Sequence, residues 1–339
     1  MLRFFAPCVI IFCGRNENGI AMKYLFFDIE CASVFKNVAK ICAFGYCLTD
    51  ENFRILKQED ILINPKGGFH LTDARGTQGL VLPYKYEDFK SYPTFPQVAE
   101  SIYDLLQDKD TLVAGHATMN DVKYLNLESK RFNLPSFRFD FADTQFIYMN
   151  KIGEFSRQFG LGTIAEQLGV EFTPHRAVDD AYATMKIAEA MCKEEGVGLV
   201  ELIEKYQIDL GKIENYEVTQ NSSVAQREHF AEAARRKEAR EQQRVKFHQF
   251  IDRAKRKRAK EGKLKGKKVC FSHPVELIGE QAESLAVAAI SAGAFITYRA
   301  EECDLYVRLE TETGARLLSA QKGKARLFSP EEFLEFLAK

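Results

Sequence analysis

Between residues 24 and 63 three apolar, β-rich runs follow one another with only short polar punctuation, and from residue 95 onward helical and strand patterns alternate. This change of pattern constrains the fold more than any other feature of the chain. The runs are Tyr24–Ile29, Ala39–Leu48 and Phe53–Ile63, broken at Asn37 and at 49–52 and closed by Asn64-Pro65. Turns that short predict an antiparallel meander. After it, Phe95–Leu106 reads as a helix, Thr111–Gly115 as a strand, Asp121–Phe132 as a helix, Phe137–Asp140 as a strand and Leu161–Leu168 as a short helix. From Ala177 the apolar positions Val178, Ala181, Met185, Ala188 and Cys192 step by three and four, which is one face of a long helix. A meander followed by alternating helix and strand predicts an α/β fold, a mixed sheet covered by helices, ending near Asn221. Residues 65–96 carry Pro65, Gly67, Gly68, Gly76 and Gly79 without a clean period, and a loop that long is either mobile or functional.

The 339 residues suit about two domains, and 46% hydrophobic with 28% charged residues excludes a mostly disordered chain. The longest apolar stretch, Phe4–Cys13, contains a proline and falls short of the roughly 18 residues a membrane span needs, so no membrane partner is expected. Eight cysteines show neither a CxxC pair nor metal-finger spacing, and several (Cys42, Cys47, Cys192) sit in apolar runs. That predicts reduced core thiols and a cytoplasmic location. Residues 1–21 run from Arg3 through an apolar stretch to Gly19-Ile20-Ala21, which is signal-like. Met22-Lys23 directly precedes a strong strand, so 1–21 is read as a tail or start-site artefact, with an export segment as the alternative.

A net charge of −1 hides an asymmetry: residues 235–268 hold sixteen Lys and Arg against four Asp and Glu, a local +12, which leaves −13 for the remainder. A basic segment on an acidic protein points to a polyanionic partner, with a solvated linker as the plain alternative. Ser222–Lys260 has no Gly or Pro and predicts a long helix within a basic linker over 222–261. On it, Phe247, Phe250, Ile251 and Ala254 form a short apolar stripe suited to docking. A second, small α/β unit is expected over 262–339. Its strands are Lys268–Ser272, Ala294–Thr297 and Leu305–Arg308, and its helices are Gln281–Ala292, Gly314–Gln321 and Glu331–Leu337.

Asp28 and Glu30 lie two apart on an otherwise apolar strand, so period two puts both carboxylates on one face. Two buried anions repel and are desolvated, at a cost relieved when a hard divalent cation joins them. Asp121 opens the helix after the strand ending at Gly115, and Asp180 sits in the first turn of the long helix, five residues after His175. Either acid by itself is an ordinary first-turn carboxylate. The four acids with the histidine are the informative set.

These motifs resemble the DEDDh 3′-to-5′ exonucleases, of which the epsilon subunit of DNA polymerase III is the familiar member. The first, F-F-D-I-E at 26–30, is similar to the family's strand bearing Asp-x-Glu; the second, A-G-H-A-T-M-N-D at 114–121, resembles G-H-N-x-x-F-D. The third, H-R-A-V-D-D-A at 175–181, fits H-x-A-x-x-D-A, and Asp143-Thr144 fits the Asp-Thr that follows the next strand. Ala117, Asn120 and residues 65–92 depart from the family. The resemblance covers roughly 22–200 and implies an RNase H-like exonuclease domain over 22–221. It implies hydrolysis of terminal phosphodiester bonds at the 3′ end of DNA or RNA, releasing nucleoside monophosphates. Two Mg²⁺ or Mn²⁺ ions about 4 Å apart would be used. Asp28 would bridge them, Glu30 and Asp180 would complete one site, and Asp121 would hold the second. Neutral His175 would take a proton from the attacking water. Asp179 is read as a helix-start charge and His116 as structural. Cys31, Ala32 and Ser33 are placed to meet the terminal base or sugar, a plain turn being the alternative. An RNA-trimming exoribonuclease, a non-catalytic nucleic-acid adaptor and a hybrid-cleaving endonuclease are the competing readings.

The C-terminal unit is similar to a BRCT domain through L-K-G-K-K-V-C-F-S at 264–272, A-G-A at 292–294, D-L-Y-V at 304–307 and the closing S-P-E-E-F-L-E-F-L. Ala294 replaces the second family glycine, and Phe333 stands where Trp is usual. This resemblance implies a module that binds a protein or a DNA end and does no chemistry.

Overall fold

The computed structural model describes residues 22–70, 81–171 and 174–339. The expected N-terminal tail, 1–21, lies outside them. Three antiparallel strands open the chain: β1 (Lys23–Phe35), β2 (Val38–Thr49) and β3 (Ile55–Leu62). β1 continues past Ile29 because register shifts at Glu30/Cys31 and Cys31/Ser33 bend it without ending its pairing with β2. Cys31, Ala32 and Ser33 are therefore strand residues rather than a turn.

Helix α1 (Phe95–Leu106) starts at a capping box between Thr94 and Gln97, with Pro96 in its first turn. β4 (Thr111–Gly115) runs parallel to β1, and α2 (Met119–Arg131) follows it. β5 (Phe139–Asp143) runs parallel to β4 and starts later than the expected Phe137. Phe137 is instead stacked on Tyr103, with ring centroids 4.2 Å apart. α3 (Thr144–Ile152) was not legible from periodicity, because nearly all its side chains, Gln145 and Asn150 included, are buried. α4 (Leu161–Gln167), α5 (Ala177–Glu195) and α6 (Leu199–Lys205) complete that layer. β6 (Ile208–Asp209), β7 (Gly211–Glu214), β8 (Glu217–Thr219) and β9 (Ser222–Ser223) are short. The β7–β8 hairpin turns through Asn215 and Tyr216, both at positive φ, without the Asn-Gly pair that announces such turns.

The sheet order is β3-β2-β1-β4-β5-β7-β8. It is the expected mixed sheet, covered by helices on both faces. One face packs Tyr24 and Phe26 of β1 against α3, α5 and α6, and the other packs Leu25, Phe27 and Ile29 against α1 and α2.

The chain divides between His229 and Phe230, inside α7 (Val224–Ala254). The second unit contains β10 (Lys268–Phe271), α8 (His273–Glu276), α9 (Glu280–Ser291), β11 (Phe295–Ile296), β12 (Leu305–Val307), α10 (Ala315–Lys322), β13 (Arg326–Phe328) and α11 (Pro330–Ala338). Its strands are all parallel in the order β11-β10-β12-β13. The expected linker over 222–261 needs correction. Phe247 and Ile251 of α7 are buried with Val269, Phe271, Leu285 and Phe333, so this stripe is part of the second unit's core. The helix also stops at Ala254 rather than Lys260; beyond it Arg258 lies over the Phe295 ring at 3.8 Å and donates to the Gly293 carbonyl. Among the described residues no helix is long and apolar enough to cross a membrane. Cys31, Cys42, Cys47, Cys192, Cys270 and Cys303 are free and buried.

Candidate active site

The alternation of β1 places the first two acids. Tyr24 and Phe26 face the layer containing α5, and Asp28 and Glu30 continue that row toward the carboxyl end of the strand. In register, Asp28 pairs with Gly45 on β2, and Gly45 pairs with Asp60 on β3. A Cβ on Gly45 would lie 2.0 Å from the carbonyl carbon of Ala177 and 2.1 Å from the nitrogen of Val178. The missing side chain is what lets the N-terminus of α5 rest on the sheet between the two aspartates.

That close approach delivers the third acid. One oxygen each of Asp28, Glu30 and Asp180 lie within 4.8 Å of one another. Asp180 Oδ2 also accepts from the backbone N–H of His175 at 2.9 Å, across a turn in which His175 takes φ +72°. His175 is exposed at the rim of the same cleft. Asp121, in the first turn of α2, faces the backbone of Ile29, between Asp28 and Glu30. It stands outside the tight trio but lines the same cleft, whose volume is about 880 Å³.

Burial governs the charge state. It pushes Glu30 up to about 9, with Asp28, Asp180 and Asp60 adding repulsion. It also pushes Asp180 up to about 7, against the opposing hydrogen bond from His175. Asp28 is held well above the usual carboxylate range by burial and then by Asp180 and Asp60; Asp121 is raised by burial and then by Asp28. Arg176, beside the cluster, pairs with Asp60 and Asp179 instead. Crowded, desolvated carboxylates offering only hard oxygen donors fit divalent cations such as Mg²⁺ or Mn²⁺.

A linkage prediction follows. Carboxyls whose folded pKa is raised keep extra protons, so the metal-free protein loses stability as pH climbs through their folded values. Its thermal midpoint should fall between about pH 5 and about pH 9, and added Mn²⁺ should raise it more at the alkaline end. Thermal unfolding with chelator and with Mn²⁺ checks both. A midpoint that climbs with pH in chelator contradicts the assignment.

Two residues that sequence reasoning left outside the site hold its frame. Asp143 caps α3 and accepts from the N–H groups of Ala117 and Thr118, each at 3.0 Å, and of Gln145 at 2.9 Å. It thereby ties the β4–α2 turn, which precedes Asp121, to β5. Burial raises Asp143 to about 6 although these donors oppose it. His116 sits 3.0 Å from Thr144 Oγ1 through Nδ1 and 3.1 Å from the Phe159 carbonyl through Nε2, and burial lowers its pKa to about 4. It braces the segment that leads to Leu161 at the cleft wall, in keeping with the structural role expected of it.

The weak substrate set divides. Cys31 lines the cleft. Ala32 points away, packed with Cys42, Leu82 and Phe89, and Ser33 is half-buried outside the described cleft lining. His70, Asn120, Tyr124 and Leu161, which sequence reasoning did not assign to substrate, line it instead.

Residues 25–188 match the family model described as Exonuclease (RNase_T). This part of the chain is similar to exonuclease domains. Among solved structures, one titled for 3′-end specific recognition of histone mRNA stem-loop by 3′-exonuclease shares 16% identity, covering 60% of this chain and 71% of that one, with a TM-score of 0.46. The nuclease domain of a DEDDh family member bound to rAMP shares 20% identity over 51% of this chain and 92% of that one, with a TM-score of 0.42. A product-bound exonuclease I shares 15% identity, covers 55% of this chain and 46% of that one, and has a TM-score of 0.45. A comparison with curated proteins returned no match. The residues that line the cleft, from Asp28 to Asp180, all fall inside the matched span.

Proposed function

We propose that the protein is a metal-dependent 3′-to-5′ exonuclease that removes nucleoside monophosphates from the end of DNA or RNA. The observation that carries this reading is the meeting of Asp28, Glu30 and Asp180 within 4.8 Å, in a domain similar to exonucleases whose cleft also holds Asp121 and His175. Asp28, Glu30 and Asp180 would hold one divalent cation, and Asp28 with Asp121 a second. When bound, such ions stabilise charge on the attacking and leaving oxygens of an in-line displacement. His175 in its neutral form takes the proton of the attacking water on a ring nitrogen. Asp180 helps set the turn that presents His175, and Asp143 and His116 keep the opposite wall in place.

Matched single-stranded DNA and RNA oligonucleotides labelled at the 5′ end test the reading. A ladder shortening from the 3′ end is expected, and its relative rate on the two substrates assigns the preferred sugar. Internal cuts would favour an endonuclease. In the same assay His175→Ala should lower turnover on the order of 10²–10⁴-fold while Mn²⁺ affinity stays close to wild type. A collapse of Mn²⁺ affinity would make His175 a ligand instead.

For the second unit we infer a BRCT-like binding module serving a protein or a DNA end. Support comes from its parallel strand order and from Phe333 buried against Phe271 and Phe328. Lys255, Arg256 and Lys257 follow α7 and carry exposed charge. If each meets a phosphate, replacing all three by Gln should make log K against log salt shallower by about 2, at about 0.7 per single-strand contact. Titrating one oligonucleotide at several salt concentrations measures this, and an unchanged slope marks the run as a solvated spacer.

A further inference from the structure

The first turn of α5 is capped by a residue remote from it in sequence. Arg176 occupies the N-cap position, but its side chain makes no cap hydrogen bond. The leading amides of a helix have no acceptor within the helix and need one from elsewhere. Ala177 N–H donates to Tyr84 Oη at 3.1 Å, and that hydroxyl donates to Asp60 Oδ2 at 3.0 Å. Arg176 Nε donates to the same carboxylate oxygen at 3.4 Å. Both ends of this chain of bonds are fixed. The Asp60 side chain is only 8% exposed and belongs to the Asp28–Gly45–Asp60 row of the sheet. The Tyr84 ring packs edge-on to Phe89, centroids 5.7 Å apart, beside Leu82 and Cys42.

We propose that Tyr84 and Asp60 form a latch that sets the first turn of α5, and with it the placement of His175 and Asp180 against Asp28 and Glu30. Both are positioning residues; neither reaches the reacting atoms. The functional half of this proposal rests on the exonuclease reading, whereas its structural half does not. Removing the hydroxyl leaves the Ala177 N–H without its acceptor and frees the turn from the sheet. Misplacing a catalytic group by about 1 Å costs up to about 10²-fold in rate.

The test compares full-length wild type with Tyr84→Phe, Asp60→Ala and Asp60→Asn, reading amide hydrogen exchange and steady-state kinetics on a short oligonucleotide. In Tyr84→Phe and Asp60→Ala, amides 177–180 should exchange about tenfold faster while those of 185–192 in the same helix stay protected. kcat should fall about tenfold with KM within about twofold. Asp60→Asn keeps an oxygen that accepts from Tyr84 and Arg176, so it should recover most of both losses. Unchanged exchange at 177–180 in Tyr84→Phe overturns the latch. Asp60→Asn as impaired as Asp60→Ala also overturns it, since the charge and not the hydrogen bond would then matter, as for a cation ligand. If wild type degrades no nucleic acid, the exonuclease reading fails and the exchange data still decide the latch.

Discussion

Asp28→Ala should abolish hydrolysis while leaving the metal-free protein as stable as wild type or more so. Asp28 is assigned to both cations, so its loss removes the shared ligand rather than one contact among several. In the metal-free protein the same carboxyl is desolvated and raised further by Asp180 and Asp60, and it in turn raises Glu30 and Asp121, both already lifted by burial. Taking away one acid relieves repulsion on the others. Activity and stability therefore move in opposite directions. Turnover measured beside thermal unfolding in chelator reads both, and full activity in the variant removes the two-metal account.

Gly45→Ala should be nearly as damaging to activity, by a different route. Its Cβ would sit 2.0 Å from a backbone carbon of α5, where no rotamer change relieves the clash. Overpacking a core usually costs about 1–3 kcal/mol, and a backbone obstacle puts this case at the upper end or beyond. Either the helix lifts from the sheet, or β2 bends away from β1. Both outcomes separate Asp180 from Asp28. The expected result is a lowered thermal midpoint together with loss of turnover and weakened Mn²⁺ binding, measured by unfolding, kinetics and calorimetry. Activity within threefold of wild type would show that α5 does not need this seat.

The site was legible where the chemistry is local. Two carboxylates spaced by period two on an apolar strand, and an acid five residues beyond a histidine, can be read without knowing what packs on what. Gly45 and Asp60 were not legible, because their importance lies in the register of three strands and appears only when β1, β2 and β3 are aligned. Tyr84 was hidden for a similar reason: it lies in the region that departs from the resembled family, and its role depends on a helix that begins at Ala177. In the fold, α5 followed from its apolar step, with Val178, Ala181, Met185, Ala188 and Cys192 all buried. α3 carries no such step, since burial on all sides erases amphipathic period. The stripe at Phe247 and Ile251 was read correctly as a docking face, but sequence cannot name the partner, and it is the core of the second unit. The turn alternative at Cys31 to Ser33 fails; it stood open because a bulged strand and a turn have the same short-range composition.

The central claim is that the carboxylate cleft removes one nucleotide at a time from a 3′ end with the help of divalent cations. It is tested most directly by a single-turnover reaction on an oligonucleotide labelled at its 3′-terminal nucleotide, run with Mg²⁺ and again after chelation. The predicted result is label released in the first turnover as a nucleoside monophosphate, only when the cation is present. Label released in a longer fragment, or at the same rate in chelator, would contradict it.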